Sequence, residues 1–124
     1  MPFTFERFDS RGYVVVRHYG HVRPHEVEEI YEAICRSNPE GRKLPNLIVD
    51  LRDSESYLTQ DEIFGSLDTF HYRPPGVSRT AFIVDDSFRN EVSFVVLASE
   101  NRGIPTRAFS DEAEALAWFG LLPD

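Results

Sequence analysis

Three short, largely apolar runs, 47–49, 81–84 and 107–109, each lead into an aspartate (Asp50, Asp85 and Asp111) and then into a stretch with helical spacing. Consecutive apolar positions over so few residues suit strands covered on both faces, and strand followed by helix, repeated, is the pattern of a parallel α/β sheet. Helices in such a sheet start at one edge, the carboxyl ends of the strands, and ligands collect at that edge. Attention therefore falls on 50–59, 85–87 and 110–111, where no catalytic signature stands.

Ahead of these units the chain reads as a hairpin. Phe3, Phe5 and Phe8 suggest a first strand, Asp9-Ser10-Arg11-Gly12 has turn composition, and a second strand runs from Tyr13 to about Tyr19. Val14, Val16 and His18 then share one face, with Tyr13, Val15 and Arg17 on the other. Pro24 opens a helix in which Val27, Ile30, Tyr31 and Ile34 form an apolar stripe and Glu28, Glu29 and Glu32 face outward, until Asn38, Pro39 and Gly41 end it. The run 46–51 predicts a central strand, followed by a polar loop over 52–58. Thr59 with Glu62 forms a capping box for a helix carrying Ile63, Phe64, Leu67 and Phe70, which stops in the breaker segment 72–76. After a strand over 80–84, Ser87 is the expected cap of a third helix, where Phe88, Val92, Val95 and Val96 make a stripe and Phe94 and Leu97 point elsewhere. A strand over 106–109 and a last helix capped by Asp111 with Glu114 complete the chain. The expected fold class is α/β: a mixed five-stranded sheet, an N-terminal antiparallel hairpin followed by parallel strands, with about four helices, all in one domain spanning 1–124.

Charge and composition exclude several functions. A net charge of −8 opposes attraction to phosphate backbones and anionic lipid, so neither nucleic acid nor membrane is expected as a partner. Cys35 is the single cysteine and the chain opens without a basic-then-apolar signal segment, which points to a reducing, cytoplasmic setting. Cys35 itself is expected to be a small buried apolar residue.

Candidate chemistry is sparse. His18, His21 and His25 are close in sequence, but strand geometry turns 18 and 21 to opposite faces, so they read as surface histidines without a metal. Asp50, Asp53, Asp85 and Asp86 could approach one another at the strand ends and hold magnesium, yet no glycine-rich phosphate cradle accompanies them and Lys43, the sole lysine, lies in a turn. No nucleophile, base and orienting group form a set, so no catalytic residue, metal or cofactor is assigned and the chain is read as non-enzymatic.

The element order, with the stretches Asn46-Leu47-Ile48-Val49-Asp50-Leu51-Arg52 and 107–119, resembles the small SpoIIAA-like proteins of the STAS group, the anti-sigma-factor-antagonist fold, which is in turn similar to the lipid-binding Sec14 or CRAL-TRIO core. That resemblance implies a regulatory protein-interaction module. In those antagonists a serine at the start of the helix after the central strand is phosphorylated within an Asp-Ser-Ser/Thr-Gly pattern, of which Asp53-Ser54 is matched here and Glu55-Ser56 is not. The implied partner-binding residues are Asp53, Ser54, Glu55, Ser56, Tyr57 and Thr59, with Ser54, Ser56 and Thr59 as candidate phospho-acceptors. A helix N-terminus offers free N–H donors to a phosphate, while Asp53, Glu55, Asp61 and Glu62 crowd it with like charge. The partners expected are a regulatory protein and a second copy of the chain, the homodimer being suggested by Phe64, Phe70, Phe94 and Leu97. The alternative is a small apolar-ligand, lipid-like binding protein, suggested by the Sec14 likeness and the aromatic content; a chain of this length is expected to leave little room beyond a normal core. A magnesium-dependent phosphate enzyme is the remaining reading.

Overall fold

A computed structural model describes residues 3–37, 44–71 and 77–121. In chain order the elements are β1 (Phe3–Phe8), β2 (Tyr13–His18), β3 (Gly20–His21), α1 (Pro24–Ser37), β4 (Asn46–Asp50), β5 (Ser54–Ser56), α2 (Gln60–His71), β6 (Thr80–Ile83), α3 (Arg89–Asn101), β7 (Thr106–Phe109) and α4 (Glu112–Trp118). The main sheet has the order β1-β2-β4-β6-β7, antiparallel between β1 and β2 and parallel across every other pair. The mixed five-stranded sheet with four helices read from the sequence is therefore the observed fold, and β4 occupies its centre as its unbroken apolar run requires.

Local chemistry explains each entry into this sheet. Gly12, at φ +74, closes the short turn after β1 by donating its N–H to Phe8 O at 2.9 Å, a left-handed conformation that glycine adopts without a Cβ clash. The capping box forms as expected: Glu62 N donates to Thr59 Oγ1 at 3.3 Å and Thr59 N donates to Glu62 Oε1 at 2.9 Å. Asp111 likewise accepts from Glu114 N at 2.9 Å at the start of α4. Ser87 does not cap α3. The stronger acceptor two residues earlier, the Asp85 carboxylate, takes Ser87 N at 2.9 Å and opens a short 3-10 turn, so α3 begins at Arg89 with no side-chain cap.

Alternation along the strands divides the core between two faces. Val14, Val16, Leu47, Val49 and Phe82 pack with Ile30 and Ile34 of α1, Ile63 of α2 and Val92, Val95 and Ala98 of α3. Tyr13, Val15, Ile48, Ala81 and Ile83 pack on the other face against Ala115 of α4, flanked by Leu116, Trp118 and Phe119. Ile48 and Ile83 are fully excluded from water, each contributing about 1.5–3 kcal/mol of burial.

Several expectations are corrected. The loop 52–58 is not wholly irregular, because 54–56 forms β5 and pairs in parallel with β3. Gly20, at φ +66, makes this pairing reachable by turning the chain out of the main sheet directly after β2. Of the apolar residues carried by α2, Ile63 is buried at 3% exposure, while Phe64, named with the apolar patch suggested for self-association, is 41% exposed. Cys35 is only partly buried, since it flanks Ile34 on α1 and does not lie on the inward line of Ile30 and Ile34. The side chains of Leu67 and Phe70, Lys43 and the breaker segments 38–41 and 72–76 lie outside the described residues.

Candidate functional site

The carboxyl ends of β2 and β4 carry two polar groupings on opposite faces of the sheet, and β3 with β5 forms a rim beside them. On the face of α4, Arg17 lies 3.0 Å from Glu6 and 3.6 Å from Asp50, and it also pairs with Glu112. Arg52 donates to both oxygens of Asp50, at 3.0 and 2.8 Å. Burial alone would raise the Asp50 carboxyl, but the hydrogen bonds and charge of Arg52, with the charge of Arg17, hold it below the usual carboxylate range. Asp50 is thus spent on fastening α4 to the strand ends and is not a magnesium ligand in waiting. Asp53, Asp85 and Asp86 are exposed, and among the described residues no three His, Cys, Asp or Glu side chains gather as a metal site.

On the opposite face His18 is buried, not a surface histidine. Its Nδ1 lies 3.0 Å from Glu26 Oε2, with side-chain exposures of 3% and 1%. Desolvation disfavours the imidazolium and lowers the His18 pKa, overcoming the opposing pull of Glu26. Sequence reasoning missed this pair, although both signals were present: His18 follows Val14 and Val16 on the inward face of β2, and Glu26 stands one turn before Ile30 on the buried line of α1. A charged residue on an apolar stripe calls for a buried partner.

The predicted loop residues separate into distinct environments. Ser56 Oγ lies 2.7 Å from His21 Nδ1, and His21 Nε2 lies 3.3 Å from Glu55 Oε2. Ser54 instead donates its hydroxyl to His18 O at 3.3 Å, on the inner side of β5. Thr59 is engaged in the cap of α2, and Asp53 stands away in solvent. Ser56, His21, Arg23, His25 and Glu62 line an open polar hollow at the rim, so the hollow includes an arginine and two histidines that the sequence did not assign to this site. Tyr57 turns inward, meets the edge of Phe82 at 6.4 Å between ring centroids, and borders both this hollow and the interior. Burial pushes its phenol pKa upward.

The interior between the sheet and α1, α2 and α3 is not fully packed. A cavity of about 530 Å³ opens there, walled by Ile30, Ile34, Val49, Ile63 and Phe82, with His18 and Tyr57 at one end. A chain of this length is expected to leave little room beyond a normal core, and the space found is larger than that expectation. Ser66, Ser99 and Thr80 are among its lining residues. No helix among the described residues is long and apolar enough to cross a membrane.

No family profile matches the chain, and no curated protein sequence matches it. Solved structures do. An uncharacterised protein of the DUF3478 family with a SpoIIAA-like fold, from Shewanella loihica PV-4, superposes with a TM-score of 0.63 at 16% identity, covering 94% of this chain and 90% of that one. The anti-sigma factor antagonist SpoIIAA in its unphosphorylated form gives a TM-score of 0.57 at 17% identity, with 95% and 97% covered. An anti-sigma factor antagonist from Mycobacterium paratuberculosis gives 0.52 at 16% identity, with 91% and 90% covered. The architecture resembled in the sequence is the one the coordinates share: this chain has a SpoIIAA-like fold.

Proposed function

We propose that this protein is a non-enzymatic regulatory module that binds a protein partner through the rim of β3, β5 and the start of α2, with Ser56 as its modifiable position. The observation that carries the reading is the placement of Ser56 on His21, 2.7 Å away, in an open hollow that Arg23 and His25 also line. A phosphoryl group there adds a charge of about −1.5 to −2, and the Arg23 guanidinium, with hydrogen-bonding imidazoles of His21 and His25 beside it, offsets part of the repulsion from Glu55 and Glu62. Ser54 and Thr59 are weaker acceptors because their hydroxyls already serve the backbone. Likeness to two solved anti-sigma factor antagonists supports a protein as the partner.

Ser56, His21 and Glu55 superficially form a nucleophile, base and acid chain. The His21 and Glu55 side chains are 57% and 72% exposed, however, so water competes for every contact and nothing fixes the imidazole for proton transfer. The reading also includes self-association of two copies through α2 and α3, where Phe64 and Leu97 are 41% and 62% exposed and Phe94 stacks edge-on against Phe64.

The test places a photo-crosslinking residue at Glu55 and, as a control, at Asp9 in protein made in its own cell. A discrete protein adduct from position 55 and none from position 9 is expected. A phosphorylated species in the intact-mass spectrum should vanish in Ser56→Ala and persist in Ser54→Ala. Equal adducts from both positions, or none from either, would refute the rim as a partner surface.

A further inference from the structure

The cavity beneath α2 has a chemistry that partner binding at the rim does not use. It extends from His18 and Tyr57, at the carboxyl ends of β2 and β5, to Thr80 and Thr106, the first residues of β6 and β7. That is nearly the depth of the sheet, roughly 15 Å at ~3.3 Å per strand residue. Its volume of about 530 Å³ falls within the range of small-molecule sites, roughly 300–1,000 Å³.

We propose that this cavity binds a neutral aliphatic molecule bearing a single hydroxyl group, whose hydroxyl donates to Nε2 of His18 while the chain lies along Val49, Phe82 and Ile30. The polarity of the site follows from Glu26. His18 Nδ1 lies 3.0 Å from Glu26 Oε2, and in the tautomer that carries its proton on Nδ1 and donates it to Glu26, the neutral ring presents Nε2 as an acceptor. Glu26 is the only hydrogen-bond partner of that ring among the described residues, although His18 is 2% exposed and lines the cavity. Tyr57, kept protonated by burial, adds a donor in the same space. A hydrocarbon leaves Nε2 unmatched, and a carboxylate adds negative charge close to Glu26 inside an apolar wall; a hydroxyl does neither.

Calorimetric titration of the intact protein with n-octanol, octyl methyl ether and octanoate at pH 8 tests this directly. Saturable one-to-one binding of octanol is expected, with the ether, which cannot donate, about tenfold weaker and octanoate weaker than octanol. The His18 Nε2 resonance in an imidazole nitrogen NMR spectrum should shift with octanol and not with the ether. In His18→Phe the preference for octanol over ether should disappear, and Val49→Phe, which fills the cavity, should abolish binding of both while unfolding stays cooperative. Absence of saturable octanol binding by the unaltered protein, equal binding of octanol and ether by it, or tightest binding of octanoate would each overturn the proposal. All three ligands are read on the unaltered protein, so the answer does not depend on a variant folding, and none of the results bears on the rim.

Discussion

Replacing Glu26 with leucine removes the acceptor of a buried hydrogen bond and leaves the His18 Nδ1–H facing apolar surroundings. An unsatisfied buried donor costs about 1–3 kcal/mol, and the 3.0 Å contact to a carboxylate belongs at the upper end, while the added leucine burial offsets part of the loss. A net cost of about 2 kcal/mol corresponds to a fall in Tm of roughly 8 °C for a domain of this size. His18→Phe should cost more, about 3–5 kcal/mol, because it strands a carboxylate that is 1% exposed. The double variant His18→Phe/Glu26→Leu should lie within about 1 kcal/mol of the original protein, since both polar groups are then gone. Urea unfolding at pH 7.5, followed by far-UV circular dichroism, measures all three. Costs that simply add in the double variant, or a Glu26→Leu cost below about 0.5 kcal/mol, would refute the pair as a coupled buried unit. Acid supplies a second arm. Because the folded state holds the His18 pKa below its ordinary value near 6.5, the unfolded chain takes up the proton first as pH falls. The stability contributed is present above about pH 6.5 and is lost as pH drops toward the folded value, with a slope of at most about 1.4 kcal/mol per pH unit for one proton. The double variant should lack that component of the slope.

Two further outcomes follow from the caps and the exposed helix face. Thr59→Ala should cost about 1 kcal/mol in urea unfolding by freeing Glu62 N from its 3.3 Å partner, and an unchanged midpoint would show that the capping box contributes nothing. Light scattering at high concentration should return a mass above 14.3 kDa that falls to 14.3 kDa in Leu97→Asp; a monomer mass for the unaltered protein would exclude self-association through α2 and α3.

Strand-end position and capping chemistry are local properties, and they made the loop 53–59 the candidate site in the sequence. Within it, the sequence could not separate the surroundings of Ser54, Ser56 and Thr59. Those surroundings depend on β3, which lies more than thirty residues earlier in the chain and pairs with β5 after the turn at Gly20. Ile63 and Phe64 show the same limit: both belong to the apolar set of α2, and only the fold leaves Ile63 buried and Phe64 exposed.

By itself the sequence determined the strand and helix order, the central place of β4, the capping of α2 and α4, and the inward faces of β2 and α1. These follow from periodicity and from contacts between residues a few positions apart. Only the tertiary structure decided that His18 meets Glu26, that Asp50 is held by Arg17 and Arg52, that Ser56 meets His21, and that the helices leave a cavity against the sheet. Such features are set by how far and at what angle elements approach one another, and that spacing is fixed by the sum of many side-chain volumes across the core, which no local pattern encodes.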